Sequence, residues 1–207
     1  MNILDRLSSV RGERDNLADI ALAEELAASK DLRAIRELVD HLTDRKRRLQ
    51  SDCIKTLYEL GEREPALIAP YVDDFAAQLT SKNPRMIWGA MCALNAATTA
   101  EPGAVYPHLS AIVKAAEGES VIARDHCVFI LAKLCRSGYQ RDCFPILLTM
   151  IRTAPINQLP SYCERAAEAA NGQDRKKLVL LITKRLEEVE QRPKRARIEK
   201  VLKRLRK

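Results

Sequence analysis

The sequence predicts an all-α protein built as a stack of helical hairpins. Three observations carry that expectation. Apolar residues recur at i, i+3, i+4 and i+7 almost from end to end, the stripe of a helix packed on one side. Two stretches, EPALIAPYVDDFAAQL from Glu64 and EPGAVYPHLSAIVKAA from Glu101, look like copies set 37 residues apart. No segment alternates convincingly with period two, so no strand is needed.

The elements follow in chain order. Ile35, Leu38, Val39 and Leu42 form one stripe, and Leu49, Cys53, Leu57 and Leu60 the next. Ile68, Val72, Phe75 and Leu79 follow, then Met86, Ala90, Leu94 and Ala97. Asn83-Pro84 reads as a cap followed by proline at the first helical position, where its missing N–H does no harm. Gly61, Gly118, Gly138 and Gly172 follow the ends of apolar stripes and read as helix stops. Pro160 opens a further helix after APINQ. Helices are expected near 2–10, 14–29, 31–43, 46–61, 66–81, 84–100, 104–117, 120–137, 140–154, 160–171, 174–190 and 193–206. Connections of two to five residues force antiparallel neighbours. No linker divides the chain. One domain over 1–207 is expected, with cap helices in 1–30, repeats in 31–190 and a basic C-terminal helix in 191–207.

Composition narrows the class. Apolar residues make up 46%, enough for a core, and only 7 glycines among abundant alanine and leucine favour helix. No run is apolar over about 18 residues, so no membrane-spanning helix is expected. The start, MNILDRLSSVRGERD, lacks the apolar core of a signal peptide, and the protein is read as cytoplasmic. Cys53, Cys92, Cys127, Cys135, Cys143 and Cys163 include no Cys-x-x-Cys pair. They are expected to be free thiols used as small core residues. His126 and Cys127 are adjacent, point about 100° apart on a helix, and are not expected to share a metal.

Charge is unevenly placed. Residues 174–207 hold 14 Lys/Arg against 5 Asp/Glu, leaving 21 against 23 in the rest. The basic character therefore belongs to the C-terminal sixth of the chain.

The spacing has a physical reason. Shifted by 37, Leu57, Leu94 and Leu131 superpose, as do Ile54, Met91 and Val128, and Pro70 falls on Pro107. Thirty-seven residues make two helices of about 15 with short turns. One such hairpin cannot bury both faces, but stacked copies can, and a period of 20–50 is the signature of helical solenoids. NPRMIWGAMCAL (Asn83 to Leu94) and SVIARDHCVFIL (Ser120 to Leu131) resemble the turn and second helix of HEAT repeats, close to their armadillo relatives. Arg124 takes the place of that family's arginine, whereas Gln50 and Ile87 stand there in other copies. Lys46, Asn83 and Ser120 replace its aspartate. The resemblance covers roughly residues 31–190. It implies a right-handed α-α superhelix of about five HEAT-like hairpins.

The resemblance also implies which surface binds. The second helix of each pair should line an inner wall. Its solvent-facing positions fall in columns: Ser51, Trp88, Asp125 and Glu164; Lys55, Cys92, Phe129 and Glu168; Glu59, Ala96 and Lys133. With aromatic residues at 4%, Trp88 and Phe129 on one wall point to a docking site for a protein partner. Trp88, Cys92, Phe129, Asp125 and Lys133 are its candidate residues. The competing expectation is that the two aromatics fill seams between repeats.

The basic end, PKRARIEKVLKRLRK, carries its own alternatives. Ile198, Val201, Leu202 and Leu205 form an apolar stripe suited to closing the stack. Lys194, Arg195, Arg197, Lys200, Lys203, Arg204, Arg206 and Lys207 surround it and could grip nucleic acid or an anionic membrane surface. A second cluster, Arg45 to Arg48, opposes the dipole at a helix start and hints at a use.

No catalytic motif is present: no glycine-rich phosphate loop, no Gly-x-Ser-x-Gly, no His-Glu-x-x-His. His41, His108 and His126 fall in different helices. A likeness to the helical DNA-repair glycosylases that remove alkylated bases would rest on Trp88, Asp125 and Lys133, with too few inner cations to cradle a duplex. The expectation is a non-enzymatic protein-binding scaffold without cofactor, metal or small-molecule substrate; the alternative is a nucleic-acid-binding module.

Overall fold

Asn83 caps a helix of 17 residues around which its neighbours are organised: its side chain accepts from the Arg85 N–H, and Pro84 follows at the first helical position. The computed structural model describes residues 2–118 and 120–206. Among them there is no strand. Contacts cluster into two compact units, Met1–Cys127 and Val128–Lys207.

The first unit contains α1 (Leu17–Ser29), α2 (Leu32–Asp40), α3 (Arg47–Arg63), α4 (Pro65–Ile68), α5 (Val72–Ala77), α6 (Pro84–Ala100), α7 (Pro102–Val105) and α8 (Leu109–Ala116). The unit boundary falls within α9 (Val121–Leu134). A single turn, Ile3–Arg6, precedes α1, where a longer helix near 2–10 was expected. The expected helices near 66–81 and 104–117 are each broken. Short 3₁₀ turns at Ala69–Tyr71 and Tyr106–His108 interrupt them. Pro70 and Pro107 cause this: each removes an N–H from the ladder and crowds the preceding turn.

The core of this unit is α3 packed between α1 and α6. Leu57, Leu60, Ile54, Met91, Ala90 and Leu94 are fully or almost fully buried in it. The approach is close. A Cβ added at Gly89 would lie 2.5 Å from Ile54 Cγ1, and one at Gly61 would lie 2.2 Å from Ile68 Cδ1. Gly61 is thus not the helix stop expected from its position. It lies inside α3 and makes room for α4. At the starts of α3 and α6, Asn83 Nδ2 donates to Gln50 Oε1 (3.4 Å), and Gln50 Nε2 donates to the Asp44 carbonyl (2.7 Å). These two bonds link the starts of α3 and α6.

Two buried acids tie the N-terminal turn down. Asp19 Oδ1 accepts from the Ser8 N–H at 2.9 Å, and Asp52 Oδ2 accepts from the Ser9 N–H at 2.8 Å. Burial pushes the Asp19 carboxyl up to about 6, and the Asp52 charge adds to this against the Ser8 N–H and Lys55.

The second unit contains the rest of α9, then α10 (Gln140–Arg152), α11 (Leu159–Ala169), α12 (Gly172–Leu186) and α13 (Arg192–Leu205). Gly138 at φ +101° makes the bend before α10, a conformation that side chains with a Cβ rarely adopt. Arg185, buried on α12, donates to the carbonyls of Ile151 (2.8 Å), Arg152 (2.5 Å) and Ala154 (2.8 Å). It adds a donor to carbonyls at and just beyond the C-terminal end of α10. Helix α13 packs on α11 and α12. Its stripe of Ile198, Val201, Leu202 and Leu205 is buried, as the closing role requires.

Candidate functional site

The sequence nominated five wall residues, and the structure distributes them over both units. Trp88 sits on α6 and is 41% exposed, a large apolar side chain that the fold leaves open. Cys92 itself does not face solvent as expected. It is buried, with Sγ 3.2 Å from His126 Nε2, and burial pushes its thiol up to about 12. Such burial disfavours the thiolate form. Ala96, from the same expected face, is also buried. Helix α6 packs against α3, α4 and α5, so it has less free surface than a helix with one buried side. Asp125 is half-buried on α9.

In the second unit the Arg165 guanidinium lies over the Phe129 ring, 5.2 Å from its centroid, a cation–π arrangement. Lys133 is half-buried, and burial together with Arg165 and Arg136 lowers its ammonium to about 8. Glu168 lies 3.4 Å from Arg165 and 3.8 Å from Arg136.

Two adjoining cavities lie in the first unit, one of them lined by Trp88. One, of about 210 Å³, is walled by Trp88, Tyr58, Lys55, Ile54 and Gly89 among others. Lys55 lies over the Tyr58 ring at 4.6 Å and pairs with Glu59 at 2.5 Å. The other, of about 490 Å³, is walled by the segment from Ser8 to Asn16 and by Arg48 and Arg85. Asn16, Asp52 and Arg85 belong to both walls. Sequence reasoning missed the second cavity. The signal was present: the 37-residue shift that pairs Ser51 with Trp88 also pairs Arg48 with Arg85.

The basic tail is largely committed to its neighbours. Arg197 makes two bonds to Glu164 (2.9 and 2.7 Å), Arg195 pairs with Glu199 at 3.1 Å and donates to the Leu186 carbonyl, and Lys194 bonds Asn157. Arg206 donates to Thr183 at 3.3 Å. Lys200, Lys203 and Arg204 remain exposed, and Lys207 lies outside the described residues. All six cysteines are free and buried. Among the described residues no helix is long and apolar enough to cross a membrane.

Comparison with known proteins places the fold. No family model and no curated protein matches the chain. Solved structures do. An engineered protein determined by the Northeast Structural Genomics Consortium matches with a TM-score of 0.65 and 17% identity, covering 100% of this chain and 97% of that one. A designed armadillo repeat protein in complex with the peptide (KR)4 matches with a TM-score of 0.65 and 14% identity over 98% of both chains. Another designed armadillo repeat protein matches at 0.59 and 15% identity, again over 98% of both. The chain has an all-α helical-repeat fold.

Proposed function

We propose that the chain is a non-enzymatic, HEAT-like scaffold that presents its helix surfaces to a protein partner. One observation carries this: Trp88, 41% exposed, stands beside Tyr58 in an open cavity on α3 and α6. A tryptophan left open next to a second aromatic is the residue pair that dominates interface energetics. Phe129 under Arg165 offers a second, half-buried contact. The Gln50–Asn83 bond and the Asn83-Pro84 helix start support the HEAT-like assignment. That a designed armadillo repeat was solved holding a peptide supports a peptide-binding use of such a fold. Six free thiols support a reducing, cytoplasmic setting.

The test is affinity capture from an extract of the source cells, treated with nuclease, using the wild-type chain and Trp88→Ala with Phe129→Ala. The double variant should lose a partner that the wild type retains, with its helical circular dichroism and melting temperature nearly unchanged. Equal capture by both proteins would refute the assignment of the wall. A collapse in stability would make the two aromatics core residues instead.

A further inference from the structure

The arginine-lined cavity has a charge pattern that calls for a ligand. Its wall contains three carboxylates and three guanidiniums, but the two sets are used differently. Asp52 accepts the Ser9 N–H at 2.8 Å, Asp15 accepts the Leu17 N–H at 3.1 Å, and Glu13 pairs with Arg11 at 2.8 Å. Every acid therefore has a partner. Among the described residues, Arg14, Arg48 and Arg85 make no side-chain hydrogen bond or ion pair. Arg45, Lys46, Arg47 and Lys82, exposed beside them in sequence, add charge of the same sign without an ion pair. Three unpaired planar forks around about 490 Å³ suit carboxylates, which guanidinium binds through two parallel hydrogen bonds.

We propose that this cavity, together with the Trp88 groove sharing its wall, seats an acidic segment of a protein partner: glutamates or aspartates against Arg14, Arg48 and Arg85, and an apolar side chain between Trp88 and Tyr58. The proposal rests on the scaffold reading and names the chemistry of its partner. The three acids in the same wall decide against nucleic acid. A nucleic-acid strand carries a phosphate at every nucleotide and would meet Asp52, Asp15 and Glu13 as often as the arginines. A peptide can place its carboxylates singly and leave neutral residues opposite those acids. The (KR)4 peptide held by the designed armadillo protein has the opposite charge, so the selectivity here would be reversed.

Trp88 is the single tryptophan, so its emission reports the groove directly. The probe is a dodecapeptide alternating glutamate and leucine. Controls replace glutamate with glutamine or lysine, and oligothymidylate serves as the nucleic-acid arm. The glutamate peptide should change Trp88 emission saturably, more weakly as salt rises. Arg48→Gln with Arg85→Gln, and the stronger Arg48→Glu with Arg85→Glu, should weaken it roughly tenfold or more while circular dichroism stays unchanged. Absent saturation, equal binding of the glutamine peptide, unchanged affinity in both arginine variants, or tighter binding of oligothymidylate would each overturn the proposal. Its failure is separable from that of the scaffold reading. Capture that depends on Trp88 but not on the arginines leaves the scaffold and removes the acidic partner.

Discussion

Arg185 in the second unit and Arg85 in the first show how differently the two regions use one side chain. Arg185 is buried and closes the end of α10 through three carbonyls. Arg165 covers Phe129, and Arg197 holds Glu164. In the first unit, packing at the center is done without charge: Gly89 against Ile54, Gly61 against Ile68. Tethers there include carboxylates accepting backbone N–H groups and the surface pairs Arg6–Glu25 and Arg63–Glu24. Arginines are not needed to hold the starts of α3 and α6, and among the described residues Arg48 and Arg85 have no ion-pair partner there. A cation that the fold does not use is available to a partner; one that caps a helix is not. A count of Lys and Arg along the sequence does not separate these two uses.

The largest expected effect breaks the structural side of that contrast. Arg185→Met removes the guanidinium from three carbonyls: Ile151 keeps the Ala154 N–H at 3.3 Å, but Arg152 and Ala154 lose their side-chain donor. A loss of about 3 kcal/mol or more is expected in urea unfolding. Arg185→Lys should recover only part of it, because an ammonium cannot reach three carbonyls with the geometry of a planar fork. A loss below about 1 kcal/mol would mean that α10 ends well enough without the clamp.

How far the sequence reached follows from how local each feature is. Helix α6 matches its expected bounds, Pro84 to Ala100, because its cap and first proline are neighbours in sequence. Pro160 and Gly138 were legible for the same reason. The breaks at Pro70 and Pro107 were not, although their cause is local: periodicity continues through a single 3₁₀ turn. Gly61 was misread because a glycine at a helix end and a glycine under a neighbouring side chain look alike until Ile68 is placed. Trp88 stood out as a lone tryptophan on a polar position. Cys92 did not separate from it, since a face defined by one helix ignores the others packed on it. The arginine cavity needed a long-range fact, the N-terminal turn tied to Asp52 from 43 residues away.

An intermediate effect tests the first unit's own tether. Asp19 titrates near 6 in the folded protein, up from an ordinary 3.8. Between those values the folded state keeps a proton that the unfolded state has lost. Its contribution therefore falls as pH rises from about 4 through 6, and the full penalty stands at pH 7. Asp52 and Lys55 face the same carboxyl and pull in opposite senses. Asp19→Asn keeps an acceptor for the Ser8 N–H and cannot ionise. Wild-type stability relative to this variant should decline by on the order of 2 kcal/mol between pH 4 and 7. Parallel pH curves for the two proteins would show that the buried carboxyl finds solvent or a cation.

The smallest effect on stability gives the sharpest comparison between the regions. Lys200→Glu with Lys203→Glu and Arg48→Glu with Arg85→Glu change the net charge equally. All four side chains are exposed, so each double variant should shift unfolding by no more than about 0.5 kcal/mol. On a heparin column they should separate. Equal change in charge predicts equal loss of retention if only net charge matters. If the unpaired arginines around the first cavity act together on one anionic group, their reversal should lower the eluting salt more than reversal on α13, where Arg195 and Arg197 are held by Glu199 and Glu164. A larger loss from the tail variant would transfer the anion-binding surface to the second unit, and the free arginines of the first would then be solvated side chains with no partner to meet.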